Sequence, residues 1–154
     1  MKETHALAER DAPLPRASYP QFISIDTRWA DVDVYGHLNN VVFYSYFDTA
    51  VNNLLITKGL LDPAGSPQIF LVVETGCRYF REAHHPARLD IGVAVERAGT
   101  SSVTYRLGAF VQGADLPAVE GRFVHVLVDR TTRRPVPLTA ALRAHVETLA
   151  LRQS

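Results

Sequence analysis

One long stretch of this 154-residue chain carries a helical period, and strand-like segments stand on both sides of it. From about Asn40 to Lys58 the apolar residues Phe43, Phe47, Val51, Leu54 and Leu55 recur three and four places apart, forming one face of an α-helix. Asn39 suits its N-cap, Leu38 and Phe43 are spaced as a hydrophobic staple, and Gly59 suits the C′ position. The apolar surface is wide, which predicts near-complete burial. Before the helix, Gln21 to Trp29 alternates, with Ile23, Ile25 and Trp29 set against Ser24, Asp26 and Arg28, as in a half-buried strand. After the LDPAGSP loop, Ile69 to Phe80 is apolar and β-branched. Leu89, Ile91, Val93 and Val95 then alternate with Asp90, Gly92, Ala94 and Glu96, Val103 to Ala109 repeats the pattern, and Val119 to Val128 supplies a last strand. Gly99 and Gln112 to Asp115 mark short connections, so the last three strands should form an antiparallel meander. Thr139 to Leu151 reads as a terminal helix behind Pro135 and Pro137. One strand, one buried helix and four strands predict an α+β domain: a five-stranded antiparallel sheet wrapped around a central helix, with a C-terminal helix.

The length suits one domain, placed at residues 19–154 behind a flexible lead over residues 1–18 of mixed charge and proline. Lys plus Arg and Asp plus Glu both number 16, leaving no net charge to draw the chain to nucleic acid or a membrane. The single Cys77 excludes an internal disulfide and a cysteine zinc cluster, and no apolar run approaches the ~20 residues of a membrane span. The first twenty residues lack the apolar core of a signal peptide. These features point to a cytoplasmic enzyme or binding protein.

The chemistry concentrates in Thr27 to Asn40, TRWADVDVYGHLNN, directly ahead of the helix. A helix start leaves amide donors without intrahelical partners and is electropositive, so it can stabilise a developing oxyanion. A carboxylate a few residues upstream would add a base or nucleophile. The same residue types also serve as plain caps and Asx-turn formers, which is the reading that suits Asp31, as a turn or salt-bridge residue.

The run Asp33-Val34-Tyr35-Gly36-His37-Leu38-Asn39-Asn40, followed by a helix with Tyr44 and Tyr46, resembles the signature of hot-dog-fold acyl-CoA thioesterases of the 4-hydroxybenzoyl-CoA thioesterase type. ETGCRYF at 74–80, GTSS at 99–102 and GRFVHVLVDRTTRRPVPL at 121–138 extend the resemblance over residues 20 to 140. It implies an acyl-CoA thioesterase in which Asp33 is nucleophile or general base and the backbone N–H of Asn40 polarises the thioester carbonyl. His37 takes a supporting catalytic place. Related acyl-carrier-protein thioesterases have asparagine where Tyr35 stands, and a phenol does not reproduce an amide's paired donor and acceptor.

The implied partners are acyl-CoA, or an acyl group on acyl carrier protein, and a second copy of the chain in a homodimer or homotetramer. Tyr35, Phe43 and Phe47 would line the acyl pocket. Ser101 and Ser102 would meet the pantetheine arm, and Arg81, Arg88, Arg133 and Arg134 are candidates for the CoA phosphates.

No cofactor and no metal are expected. His84 and His85 are adjacent and point differently, and they make a metal site only with a carboxylate or third imidazole beside them. Cys77 lies mid-strand as a small buried hydrophobe, and Glu74 with Arg78 on one strand face reads as an ion pair. Two other activities suit the same scaffold: a hot-dog hydratase or dehydratase using a histidine with a carboxylate, and a non-catalytic acyl-CoA-binding module.

Overall fold

A computed structural model of the chain describes residues 12–152. The elements run β1 (Gln21–Asp26), α1 (Val42–Thr57), β2 (Gln68–Tyr79), β3 (Arg88–Ala98), β4 (Ser102–Val111), β5 (Val119–Asp129) and α2 (Ala140–Thr148). The five strands make one antiparallel sheet in the order β1-β3-β4-β5-β2, with β3-β4-β5 as the meander and β2 at one edge. Alternation decides the inner face. Leu89, Ile91 and Val93 of β3, Val103, Tyr105 and Leu107 of β4 and Phe123 and Leu127 of β5 share one buried cluster with Phe43, Phe47, Ala50, Val51, Leu54 and Leu55 of α1. The ring of Phe47 lies so close to β5 that a Cβ on Gly121 would sit 2.6 Å from it, so only glycine allows this approach.

Helix α1 is narrower in its burial than the pattern predicts. Ser45, Asp48, Thr49, Asn53 and Ile56 are exposed, because the sheet curls over only one side of the helix. The helix also begins at Val42, with Val41 rather than Asn39 in the N-cap position. Asn39 instead caps the turn ahead: its Oδ1 accepts the Val41 N–H at 3.1 Å and its carbonyl accepts the Val42 N–H at 3.0 Å. At the other end Gly59 has φ +70°, and the amides of Gly59 and Leu60 return to the carbonyls of Ile56 and Leu55, closing a Schellman motif. In α2 the Thr139 hydroxyl caps the Leu142 N–H.

Strand β1 ends at Asp26, before Trp29, which lies in a short 3-10 turn and is 81% exposed instead of facing the core. Residues 1–11 of the expected lead fall outside the described residues. From residue 12 onward the lead lies against the outer face of the sheet. The Leu14 N–H donates to Glu120, the Arg16 guanidinium pairs with Asp90 at 2.8 Å, and Tyr19 is buried against Phe110 and Ala94. The expected Glu74–Arg78 pair is replaced by two cross-strand pairs, because Arg78 stands directly opposite Glu120. Arg78 meets Glu120 at 2.6 Å and Arg122 meets Glu74 at 3.4 Å.

Candidate active site

The segment between β1 and α1 folds around two carboxylates with different surroundings. Asp31 is buried, and it accepts the Arg28 backbone N–H at 3.0 Å, two bonds from the Arg28 guanidinium, and the Tyr46 hydroxyl at 2.7 Å. Burial pushes its carboxyl up, but the bonds from Arg28 and Tyr46 outweigh that and hold it below the usual carboxylate range. Burial, and then the bond to Asp31, raises the Tyr46 phenol. The Asp31 carbonyl also accepts the Asn39 N–H at 2.8 Å, so this residue ties both ends of the segment to the helix. It is a structural ion, as a turn or salt-bridge residue would be.

Asp33 sits where the chain turns outward. Its Oδ1 accepts the amides of Tyr35 at 2.8 Å and His37 at 3.0 Å, while its own N–H donates to the His37 carbonyl at 2.8 Å. Gly36, at φ +82°, completes this loop. The plain cap role is therefore real, and it uses one carboxylate oxygen. The other has no hydrogen bond among the described residues.

Asp33 lines a cleft of about 480 Å³ together with Tyr35, His37, Asn40, Phe43, Tyr79, Arg81 and Glu82. Asn40 is the second residue of the turn from Asn39 to Val42, and its N–H has no acceptor among the described residues. Its carbonyl is fixed by the Tyr79 hydroxyl, which donates to it at 2.8 Å. Burial, then the neighbouring Cys77, pushes the Tyr79 phenol up to about 12, so it remains a donor at neutral pH. Phe43 is 2% exposed and forms the apolar floor, whereas Tyr35 is 80% exposed at the rim. Arg81 also lines the cleft, and its guanidinium has no ion-pair partner among the described residues.

Three expected contacts do not assemble here within one chain. Phe47 is fully buried between Gly121 and Phe123, in the core and not in the cleft wall. Ser101 and Ser102 lie at the other end of the sheet. Tyr79 pairs with Val119 and Ser102 with Val126, a separation of seven positions on β5, or roughly 23 Å. Cys77 is half-buried between Tyr44 and Tyr79, and burial raises its thiol, which suits an inert residue.

The fold also brings together a group that local reading misses. His37 bridges to His84 across a short antiparallel contact, and the Leu38 N–H donates to the Ala83 carbonyl at 2.8 Å. The His37 Nε2 is 3.1 Å from a Glu82 oxygen, and its ring is 4.9 Å from that of His84. His85 points elsewhere, its Nδ1 sharing a 2.7 Å hydrogen bond with Thr27. His84 thus has a carboxylate, Glu82, and a further imidazole, His37, beside it, and only the fold brings His37 there. His37 is 45 positions or more from Glu82 and His84, and only the spacing Glu82-x-His84 in an extended loop hints at a shared face.

A family model described as the thioesterase-like superfamily matches residues 27–146. The PA5185 protein of Pseudomonas aeruginosa strain PAO1 is 44% identical, with a TM-score of 0.89 over 92% of this chain and 99% of that one. A thioesterase from Thermus thermophilus, crystallised with coenzyme A and zinc, is 27% identical with a TM-score of 0.71, covering 88% of this chain and 98% of that one. YsmA of Bacillus subtilis strain 168 is 29% identical over 126 residues, 80% of this chain and 83% of that one. These likenesses give the sheet and its central helix the hot-dog fold.

Proposed function

The chain belongs to the thioesterase-like superfamily, and from that premise we propose that it is an acyl-CoA thioesterase of the 4-hydroxybenzoyl-CoA thioesterase type, working in the cleft ahead of α1. One observation carries the reading: Asp33, a carboxylate with an oxygen uncommitted among the described residues, lines the same cleft as the backbone N–H of Asn40, which has no partner among them. The acyl group lies over Phe43 with its carbonyl oxygen on the Asn40 N–H. Asp33 then attacks the carbonyl carbon, or takes a proton from the water that does. The tetrahedral intermediate places its negative oxygen on that amide, and collapse expels the CoA thiolate, which is protonated from solvent. If Asp33 is the nucleophile, water hydrolyses the resulting anhydride and restores the carboxylate. Arg81 offers a cation to the CoA phosphates at the rim. An acyl group on acyl carrier protein would present the same thioester.

The distance to Ser101 and Ser102, and the place of β2 at an edge of the sheet, unpaired among the described residues, support a working unit of two or four chains, in which a neighbour completes the site. The His37–Glu82 contact supports a second reading, a hydratase, since a histidine beside a carboxylate can move protons at the acyl α and β carbons. A panel of acyl-CoAs that includes enoyl-CoAs separates the two. Free thiol released from saturated and aromatic acyl-CoAs is the expected result. Loss of enoyl absorbance without thiol release would replace hydrolysis with hydration, and neither signal would leave a binding module.

A further inference from the structure

The rim of the cleft carries a constellation in which Glu82 and His84, beside His37, have no part in the proposed hydrolysis. Two backbone segments meet there: the turn after Asp33 and the loop after β2, paired at His37 and His84. Residues directly opposite in an antiparallel pair hold their Cβ atoms ~4.5–5.5 Å apart, which is the spacing at which two imidazoles can grip one ion. Glu82 precedes His84 by two positions in an extended stretch, so its side chain emerges on the same side and reaches His37 diagonally. One nitrogen from each imidazole and one Glu82 oxygen all lie within 4.8 Å of one another, and His37 Nε2 is 3.1 Å from Glu82 Oε2.

We propose that His37, Glu82 and His84 form a binding site for a divalent transition-metal ion, with zinc the best fit. The chemistry of the donors selects the ion. Two imidazoles and one carboxylate suit zinc, cobalt(II) or nickel(II), whereas magnesium and calcium prefer an all-oxygen shell. Around a tetrahedral zinc with bonds of ~2.0–2.1 Å the ligand atoms stand ~3.3 Å apart. The observed spread closes to that by rotation of side chains, two of which are exposed. The backbone needs no movement, because the His37–His84 bridge and the Leu38–Ala83 hydrogen bond already hold the two segments together. A fourth position stays open to water, as in sites with three protein ligands. The bound ion would clip the turn bearing Asp33 to the loop bearing Arg81.

Binding is independent of whether the cleft hydrolyses thioesters, so the test reads binding alone. The full chain without an affinity tag, stripped of metal by chelator, is titrated with zinc chloride by calorimetry and with cobalt(II) by visible absorption. The expected result is one ion per chain with a Kd below about 10 μM, and cobalt(II) bands of four- or five-coordinate strength. His84→Ala and Glu82→Gln, both at exposed positions, should each weaken binding at least about tenfold without changing the circular dichroism. Wild-type uptake no tighter than that of His84→Ala, or a cobalt(II) spectrum like that of the hydrated ion, would overturn the site.

Discussion

Replacing Asp31 by asparagine should destabilise the domain by about 2–3 kcal/mol, although the residue is two positions from the proposed chemistry. The figure follows from its partners. The Arg28 guanidinium is 70% exposed, so its two bonds to Asp31 are screened and contribute little. The Tyr46 hydroxyl and the Arg28 backbone N–H both meet Oδ2 at a buried position. Asparagine can offer one carbonyl oxygen there, but each bond falls from a charge-assisted ~1.5–3 kcal/mol to a neutral ~0.5–1.5 kcal/mol, a loss of about 2 kcal/mol for the pair. Its amide NH₂ must then face the remaining donors, which adds up to about 1 kcal/mol. Urea unfolding at pH 7 of the wild type, Asp31→Asn, Tyr46→Phe and the double variant measures the coupling. The double variant should lose about 1–2 kcal/mol less than the sum of the singles. A change below about 0.5 kcal/mol in Asp31→Asn, or strict additivity, would refute the view of Asp31 as a buried structural ion.

Other consequences are open to measurement. Asn40 is at the second position of a turn, where proline is well tolerated, so Asn40→Pro should fold and bind acyl-CoA. It should turn over about 10²–10³-fold more slowly than Asn40→Ala, and equal rates in steady-state assays would place the oxyanion elsewhere. His125 is 1% exposed beside Tyr105 and Phe123, and burial holds its imidazole below the ordinary range despite the opposing pull of Asp48. A depressed histidine contributes stability in full above its unfolded pKa of ~6.5 and loses it as pH falls, at up to about 1.4 kcal/mol per pH unit. Denaturation midpoints between pH 7 and 5 should therefore fall less steeply in His125→Phe, and an unchanged slope would contradict this. Light scattering at micromolar concentration should give twice or four times the chain mass, and an active monomer would exclude a shared site.

Much of the architecture was legible because it is local. The α1 seam of Phe43, Phe47, Val51, Leu54 and Leu55 is buried as its period requires, and Gly59 closes the helix where the pattern ends. The hairpin signals at Gly99 and Gln112 to Asp115 fall between β3, β4 and β5. What depends on distant pairing was not legible. Nothing near Arg78 in the sequence says that Glu120 stands opposite it, and Glu74 is the partner that local spacing offers. Trp29 continued an alternation that Asp31 interrupts by drawing the chain into a 3-10 turn. In the candidate site, Asp33 and Asn40 share a cleft because the six residues between them fold into a short turn, a short-range matter. His37 meets Glu82 and His84 through a loop contact that nothing near His37 in the sequence signals.

The most direct test of the thioesterase account is the rate of thiol release by Asp33→Asn. Asparagine keeps an Oδ1 for the amides of Tyr35 and His37, so the turn survives, and only the charged, uncommitted oxygen is lost. Against the acyl-CoA best cleaved by the wild type, the rate should fall by about 10³-fold or more while equilibrium binding of that acyl-CoA stays within a few-fold. Turnover near the wild-type rate, in a variant with unchanged folding and binding, would show that Asp33 serves only as the cap of its turn.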